Sequence, residues 1–228
     1  MQTTHLFLGS IGVLAETSDI QRRAYNAALA EAGVPWAWTP DTYRSLLGMS
    51  GGQDRLRMLA DATNTELDDA TIISIHGRKT EIACAEVVAT PVGLRPGVAE
   101  VVAHALDNGV RLGLVTTTYM PNIEAIAEAA GDALPLDRFD VVVSRDDVAR
   151  GKPAPDAYLR ALESTGADPA ATVAIEDTAA SALAAQGAGL RTIVVPGRLT
   201  DDQVIVGADA VVPALSVEAV FGPVPTGV

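Results

Sequence analysis

The chain has 228 residues, 48% of them hydrophobic, and 16 Lys and Arg set against 29 Asp and Glu give a formal net charge of −13. That length can bury one substantial core with room for a smaller lobe. The acidic balance argues against nucleic-acid and membrane-surface partners, because phosphate backbones are held mainly by clustered Lys and Arg. The single cysteine, Cys84, excludes an intramolecular disulfide framework, suits a reducing cytosol and reads as helix packing. No stretch approaches ~18 uninterrupted apolar residues and the start lacks a basic leader, so a soluble, unprocessed cytoplasmic protein is expected.

The first apolar segment, Leu6-Phe7-Leu8, runs directly into Gly9-Ser10-Ile11-Gly12, which predicts a short buried strand ending in a tight loop. Ser18-Asp19-Ile20-Gln21 has the capping-box pattern and precedes apolar residues at helical spacing, predicting a helix over 18–32. Residues 39–88 carry further helical patterning, broken at Gly48 and Gly51-Gly52, with no strand. Trp36 and Trp38 read as packing of this helical insertion.

After Pro91 the texture changes. A helix from Val98 stops at Asn108-Gly109, and strand-like runs at 110–115, 141–143, 172–175 and 192–195 alternate with helical stretches near 121–130, 155–165 and 179–188. Such alternation predicts an α/β fold, a mostly parallel sheet with helices on both faces and the first strand included. The helical segment is then an inserted cap: residues 1–15 and 90–228 form the core and 16–89 the cap, with hinges at 13–17 and 89–93. The tail from Gly222 to Gly227 is expected to be loosely ordered.

Ligands of open parallel sheets bind at the carboxyl ends of the strands. Just past those ends stand Thr116-Thr117-Thr118, Gly151-Lys152-Pro153-Ala154-Pro155-Asp156 and Glu176-Asp177-Thr178. Thr116 and the loop amides can hydrogen-bond phosphate oxygens, Lys152 can neutralise their charge, and the paired carboxylates can hold a hard cation such as Mg2+. The alternative is a partly buried ion-pair network that satisfies its own charges without a ligand. His5, His76 and His104 are scattered, so no histidine metal site is expected.

Taken in order, hydrophobic-Thr, Gly-Lys-Pro-x-Pro-Asp and Glu-Asp-Thr resemble motifs two to four of the haloacid dehalogenase superfamily of phosphatases and phosphomutases. Arg22-Arg23-Ala24-Tyr25-Asn26, Ser50 to Arg55, Leu94-Arg95-Pro96-Gly97-Val98 and Thr116-Thr117-Thr118 are similar to its β-phosphoglucomutase-like, Rubisco-operon (CbbY-type) branch. The resemblance implies a Rossmann-like core with a helical cap, hydrolysis of xylulose bisphosphate, and Mg2+ bound between the two lobes. It also implies phosphate binding by Thr116, Thr117 and Lys152, metal binding by Glu176 and Asp177, and substrate recognition on the cap by Gly52, Gln53 and Arg55.

The pattern departs at motif one. Where the family has Asp-x-Asp-Gly-x-Leu, this chain has Gly9-Ser10-Ile11-Gly12-Val13-Leu14. In the family the first aspartate attacks phosphorus and binds Mg2+, and the second is the general acid and base. Gly9 and Ile11 supply neither group, so Mg2+ binding is expected to be weakened. Ser10 is disfavoured as a substitute nucleophile because neighbouring side chains on an extended segment point to opposite faces and no histidine lies near enough to nominate as its base. Glu16 reads as hinge or first helix turn. The cap turn also departs, with Gln53 and Asp54 where the branch has Lys and Glu, and Arg44 is a nearby cation or a solvated charge.

Three functions stay open: a phosphate or phosphosugar binder with little or no hydrolysis, alone or paired with an active paralogue; a hydrolase using another nucleophile or a metal-bound water; and a pure interaction module.

Overall fold

The computed structural model describes residues 2–49, 51–90 and 92–222. β1 (His5–Leu8) is buried along its whole length, as its unbroken apolar run requires of a central strand of a parallel sheet. After it come four helices, α1 (Ser18–Glu31), α2 (Pro40–Leu46), α3 (Gly52–Thr63) and α4 (Asp69–Ala89). Helices and strands then alternate: α5 (Val98–Asp107), β2 (Arg111–Val115), α6 (Met120–Ala130), β3 (Val141–Val143), α7 (Asp156–Thr165), β4 (Thr172–Glu176), α8 (Ala179–Gly187), β5 (Arg191–Val194), β6 (Ala210–Val211) and α9 (Val217–Phe221).

The six strands lie in the order β3-β2-β1-β4-β5-β6, and every pair is parallel. Side chains alternate across the sheet. Leu6 and Leu8 join Val101, Val102 and Ala105 of α5 and Ile123 and Ile126 of α6 on one face, while Phe7 joins Ala157, Tyr158 and Ala161 of α7 and Ala184 and Ala185 of α8 on the other. Burying each such leucine or phenylalanine stabilises the fold by about 1.5–3 kcal/mol. Gly113 of β2 is fixed by this packing, since a Cβ there would lie 2.6 Å from Cδ1 of Phe7. The parallel α/β architecture predicted from the alternating pattern is therefore the one observed.

A separate cluster fills the space among the first four helices, with Tyr25, Trp38, Tyr43, Leu56, Ile72 and Ile75 at its centre. Trp38 packs on Tyr25 and Tyr43, with ring centroids 4.6 and 5.9 Å away. Cys84 lies half-buried on α4 beside the larger core.

Several expectations need correction. Thr17, not Ser18, precedes α1, and no side chain closes a capping box there; Gln21 is drawn away by Asn122 and Lys79, and the Ser18 amide donates instead to Glu16. The helical stretch 39–88 breaks once more than expected, because Asn64 takes the left-handed conformation (φ 49°) at the end of α3 and Asp68 caps α4 through the amide of Thr71. β6 and α9 were not foreseen; a two-residue edge strand and a five-residue helix carry too little periodicity. Of the tail, residues 223–228 lie outside the described residues, as do Ser50 and Pro91. No helix among the described residues is long and apolar enough to cross a membrane.

Candidate functional site

The register of the three central strands sets the floor of the site. Leu8 is aligned with Leu114 of β2 and Ile175 of β4, so Gly9 leaves the sheet beside Glu176 and Ser10 beside Thr116. A cleft above this floor is lined from the core by Ser10, Thr116, Lys152, Glu176 and Asp177 and from the helical insertion by Gln21, Tyr25, Gln53, Arg55, His76 and Lys79. Thr116, Thr117, Lys152, Gly52, Gln53, Arg55, Glu176 and Asp177, expected from sequence to form the site, all border that one cleft.

Glu176 is 1% and Lys152 5% exposed. The Lys152 ammonium donates to the Glu176 carboxylate and, at 2.8 Å, to the Val115 carbonyl, while the Tyr158 hydroxyl donates to the same Glu176 oxygen. Burial and the Glu176 charge hold the Tyr158 phenol well above its ordinary range. The other Glu176 oxygen faces Gly9: a Cβ on that glycine would lie 2.7 Å from it and 2.9 Å from Cγ2 of Val13. Asp177 lies over Gly12, whose φ is +80°. Burial, with Glu176 beside it and Lys152 opposing, pushes the Asp177 carboxyl up to about 8. These two carboxylates are the available hard-cation donors, and among the described residues no three of His, Cys, Asp and Glu stand together as a ready-made metal site.

The loop after β1 is pinned from several sides. The Gly12 amide donates to Ala15 O, the Val13 and Leu14 amides turn back to Ser10 O, and the Arg95 guanidinium donates to the carbonyls of Gly12, Val195 and Pro196. This turn also corrects the orientation expected for Ser10. Strand geometry ends at Leu8, so alternation no longer applies, and Ser10 faces the cleft, sharing a 2.8 Å hydrogen bond with the Thr116 hydroxyl. Ile11 packs against the core rim and bridges to Ala15. The Thr116 amide donates to Val143 O and the Thr118 amide to the Thr116 hydroxyl, so these two amides already have partners within the protein.

On the opposite wall, Gln53 donates across the cleft to the Tyr119 hydroxyl at 3.1 Å. Gly52 backs directly onto Tyr25 and His76, where a Cβ would lie 2.2 Å from the tyrosine oxygen. Arg55 is buried and donates to Leu46 O and Met49 O. Arg44 instead pairs with Asp201 and Asp202. Glu16 accepts from the Ser18 and Arg198 amides, joining the start of α1 to the loop after β5.

Sequence reasoning missed His76, Lys79, Tyr25, Gln21 and Asn122. Lys79 donates to Gln21, and Gln21 to Asn122, forming a buried polar chain from α4 through α1 to α6. Burial lowers the Lys79 ammonium to about 7, with the Arg55 charge adding to the effect. His76 is lowered to about 3 by burial, then by Lys79 and Arg55. The Tyr25 hydroxyl is buried beside the Arg55 guanidinium and, among the described residues, no atom meets it in hydrogen-bonding geometry.

Comparison with known proteins matches residues 11–189 to the haloacid dehalogenase-like hydrolase family. The chain is 37% identical over 219 residues to protein CbbY of Rhodobacter capsulatus, covering 96% of each chain. It is 40% identical over 198 residues to CbbY of Cereibacter sphaeroides, covering 87% of this chain and 86% of that one. Among solved structures, CbbY of Rhodobacter sphaeroides in complex with phosphate matches with a TM-score of 0.87 at 38% identity, covering 94% of this chain and 95% of that one. An Asp-to-Asn variant of the same protein, in complex with xylulose-(1,5)-bisphosphate, matches with the same figures. With sequence and fold agreeing over nearly the whole length, the chain belongs to the haloacid dehalogenase-like hydrolases and is a homologue of the CbbY proteins within them.

Proposed function

We propose that this protein binds a phosphorylated sugar in the cleft between core and cap and that its hydrolytic step is lost. What supports the reading is the sequence after β1, where Gly9 and Ile11 carry no ionisable group and, on our alignment with the family motif, stand for its two aspartates, the nucleophile and the general acid and base. Loss of a covalent nucleophile lowers turnover on the order of 10⁴ to 10⁶-fold. The binding half of the site is retained: Thr116, Thr117 and Lys152 would hold the phosphate, and Gly52, Gln53 and Arg55 form part of the facing wall, on the cap proposed to span residues 16–89. The ligand class follows from the CbbY relatives, whose structures hold phosphate and xylulose bisphosphate. A cytoplasmic protein working beside an active paralogue is the setting that fits best.

Phosphatases of this superfamily generally use Mg2+. Here Asp177 and the Glu176 oxygen facing Gly9 would hold the ion. Its binding is weakened because the third carboxylate is absent and the other Glu176 oxygen is engaged by Lys152 and Tyr158. A bound divalent ion would supply charge neutralisation at the phosphate. A working hydrolase with another nucleophile finds one supporting observation, the cleft-facing hydroxyl of Ser10. Its hydrogen-bond partner, however, is the Thr116 hydroxyl, which is no base.

The test is phosphate release from xylulose bisphosphate and a panel of sugar phosphates with Mg2+, comparing the natural protein with the Gly9→Asp, Ile11→Asp double variant. Turnover by the double variant alone is the expected result. Ordinary enzymatic turnover by the natural protein would overturn the reading.

A further inference from the structure

Five cations border the cleft: Arg55, Arg57, Lys79, Arg145 and Lys152. Lys152 pairs with Glu176, and Arg57 pairs with Asp54 and Asp69. Arg55 and Lys79 are buried and donate to neutral oxygens. Arg145 differs from all four. It is half-buried, and the hydrogen bond of its side chain runs to the Val148 carbonyl of its own loop at 2.7 Å. Among the described residues it is paired with no carboxylate.

Its loop is built to hold it in place. Ser144, which ends the strand run of β3, caps the turn that follows: its hydroxyl accepts from the Asp146 amide, and the Asp147 carboxylate accepts from both the amide and the hydroxyl of Ser144. The Arg145 amide donates to Thr118 O at 3.0 Å, tying this turn to the threonine loop after β2. Arg145 therefore starts from the edge strand of the sheet, two strands away from β1. Neighbouring strands lie about 4.8 Å apart, which puts its backbone roughly 10 Å across the floor from the end of β1.

We propose that Arg145 is a ligand-binding residue that recognises a second anionic group of the bound phosphosugar, distinct from the phosphate seated by Thr116, Thr117 and Lys152. This inference rests on the proposed phosphosugar reading of the cleft. A guanidinium not already engaged by a carboxylate, carried on a rigid turn and facing a cleft, can grip a second phosphate through a two-pronged, charge-assisted contact. The roughly 10 Å offset suits a ligand with anionic groups at both ends of a short carbon chain. Such a ligand is distinguished from a monophosphate by this residue and not by the neutralised Lys152.

Calorimetric titration of xylulose bisphosphate and of inorganic phosphate into the natural protein, Arg145→Gln, Arg145→Lys and Arg150→Gln tests the assignment. Arg150 is an exposed control outside the cleft lining, paired with Asp156. Arg145→Gln should weaken the bisphosphate about tenfold or more, as loss of a charge-assisted contact does, with Arg145→Lys weaker than the natural protein but tighter than Arg145→Gln. Inorganic phosphate and the Arg150→Gln control should stay unchanged. Equal bisphosphate affinity in the natural protein and Arg145→Gln would overturn this inference alone, as would an equal loss for both probes. Failure of the natural protein to bind either probe would overturn the phosphosugar reading and the inference together.

Discussion

The ends of β1 and β4 lie side by side, in register, and have opposite chemistry. β1 ends in Gly9 and, past Ser10, Ile11, which offer no ionisable group. β4 ends in Glu176, which with Lys152 and Tyr158 forms a buried charged cluster, and Asp177 follows it. The difference shows how a buried charge cluster is held beside a strand end that brings no carboxylate. The lysine has a carboxylate partner on the neighbouring strand, the tyrosine supplies a further donor, and the glycine leaves room for the Glu176 oxygen. A buried charge cluster survives where each member has a partner, whether or not it performs chemistry.

The most severe way to break this arrangement is to remove Glu176. Glu176→Leu leaves the Lys152 ammonium and the Tyr158 hydroxyl without their buried acceptor and should cost about 3–5 kcal/mol in denaturant unfolding. Adding Lys152→Met should recover most of that loss. Gly9→Ala is milder. Its methyl would meet the Glu176 oxygen and Val13, an overpacking cost of about 1–3 kcal/mol, and the cost should shrink when Glu176 is first replaced by alanine, because the two positions are coupled.

The last expected effect depends on pH. The Asp177 carboxyl, ordinarily near 3.8, is held up to about 8 in the fold, so between those values the folded chain keeps a proton that the unfolded chain releases. The stability this confers is present below about 4 and is lost as pH rises to 8. Asp177→Asn, which stays neutral, should therefore raise the melting temperature in EDTA by more at pH 8 than at pH 5. A difference independent of pH would show that Asp177 is not held protonated.

The strand ends were legible in the sequence because each apolar run stops abruptly: Val115 at the polar Thr116, Ile175 at the charged Glu176, and Leu8 at the turn-forming Gly9. A parallel sheet then aligns those ends, so Thr116, Glu176 and Gly9 could be gathered into one site before any contact was known. The facing wall was not legible in the same way. His76 and Lys79 sit within one long helix, and only the packing of α4 on α1 and α6 turns them toward the cleft. Arg145 reads as one more charge in a loop until the Ser144 turn fixes its direction. Ser10 was misjudged because strand alternation was extended two residues past the last strand residue, into a turn held by Ser10 O.

The most direct measurement follows both phosphates of xylulose bisphosphate by phosphorus NMR over hours with excess natural protein and Mg2+. The account predicts shifted, bound resonances for two intact phosphate esters and no growth of inorganic phosphate beyond the protein-free rate. A growing inorganic phosphate signal at an enzymatic rate would contradict it and place the chemistry on residues other than Gly9 and Ile11.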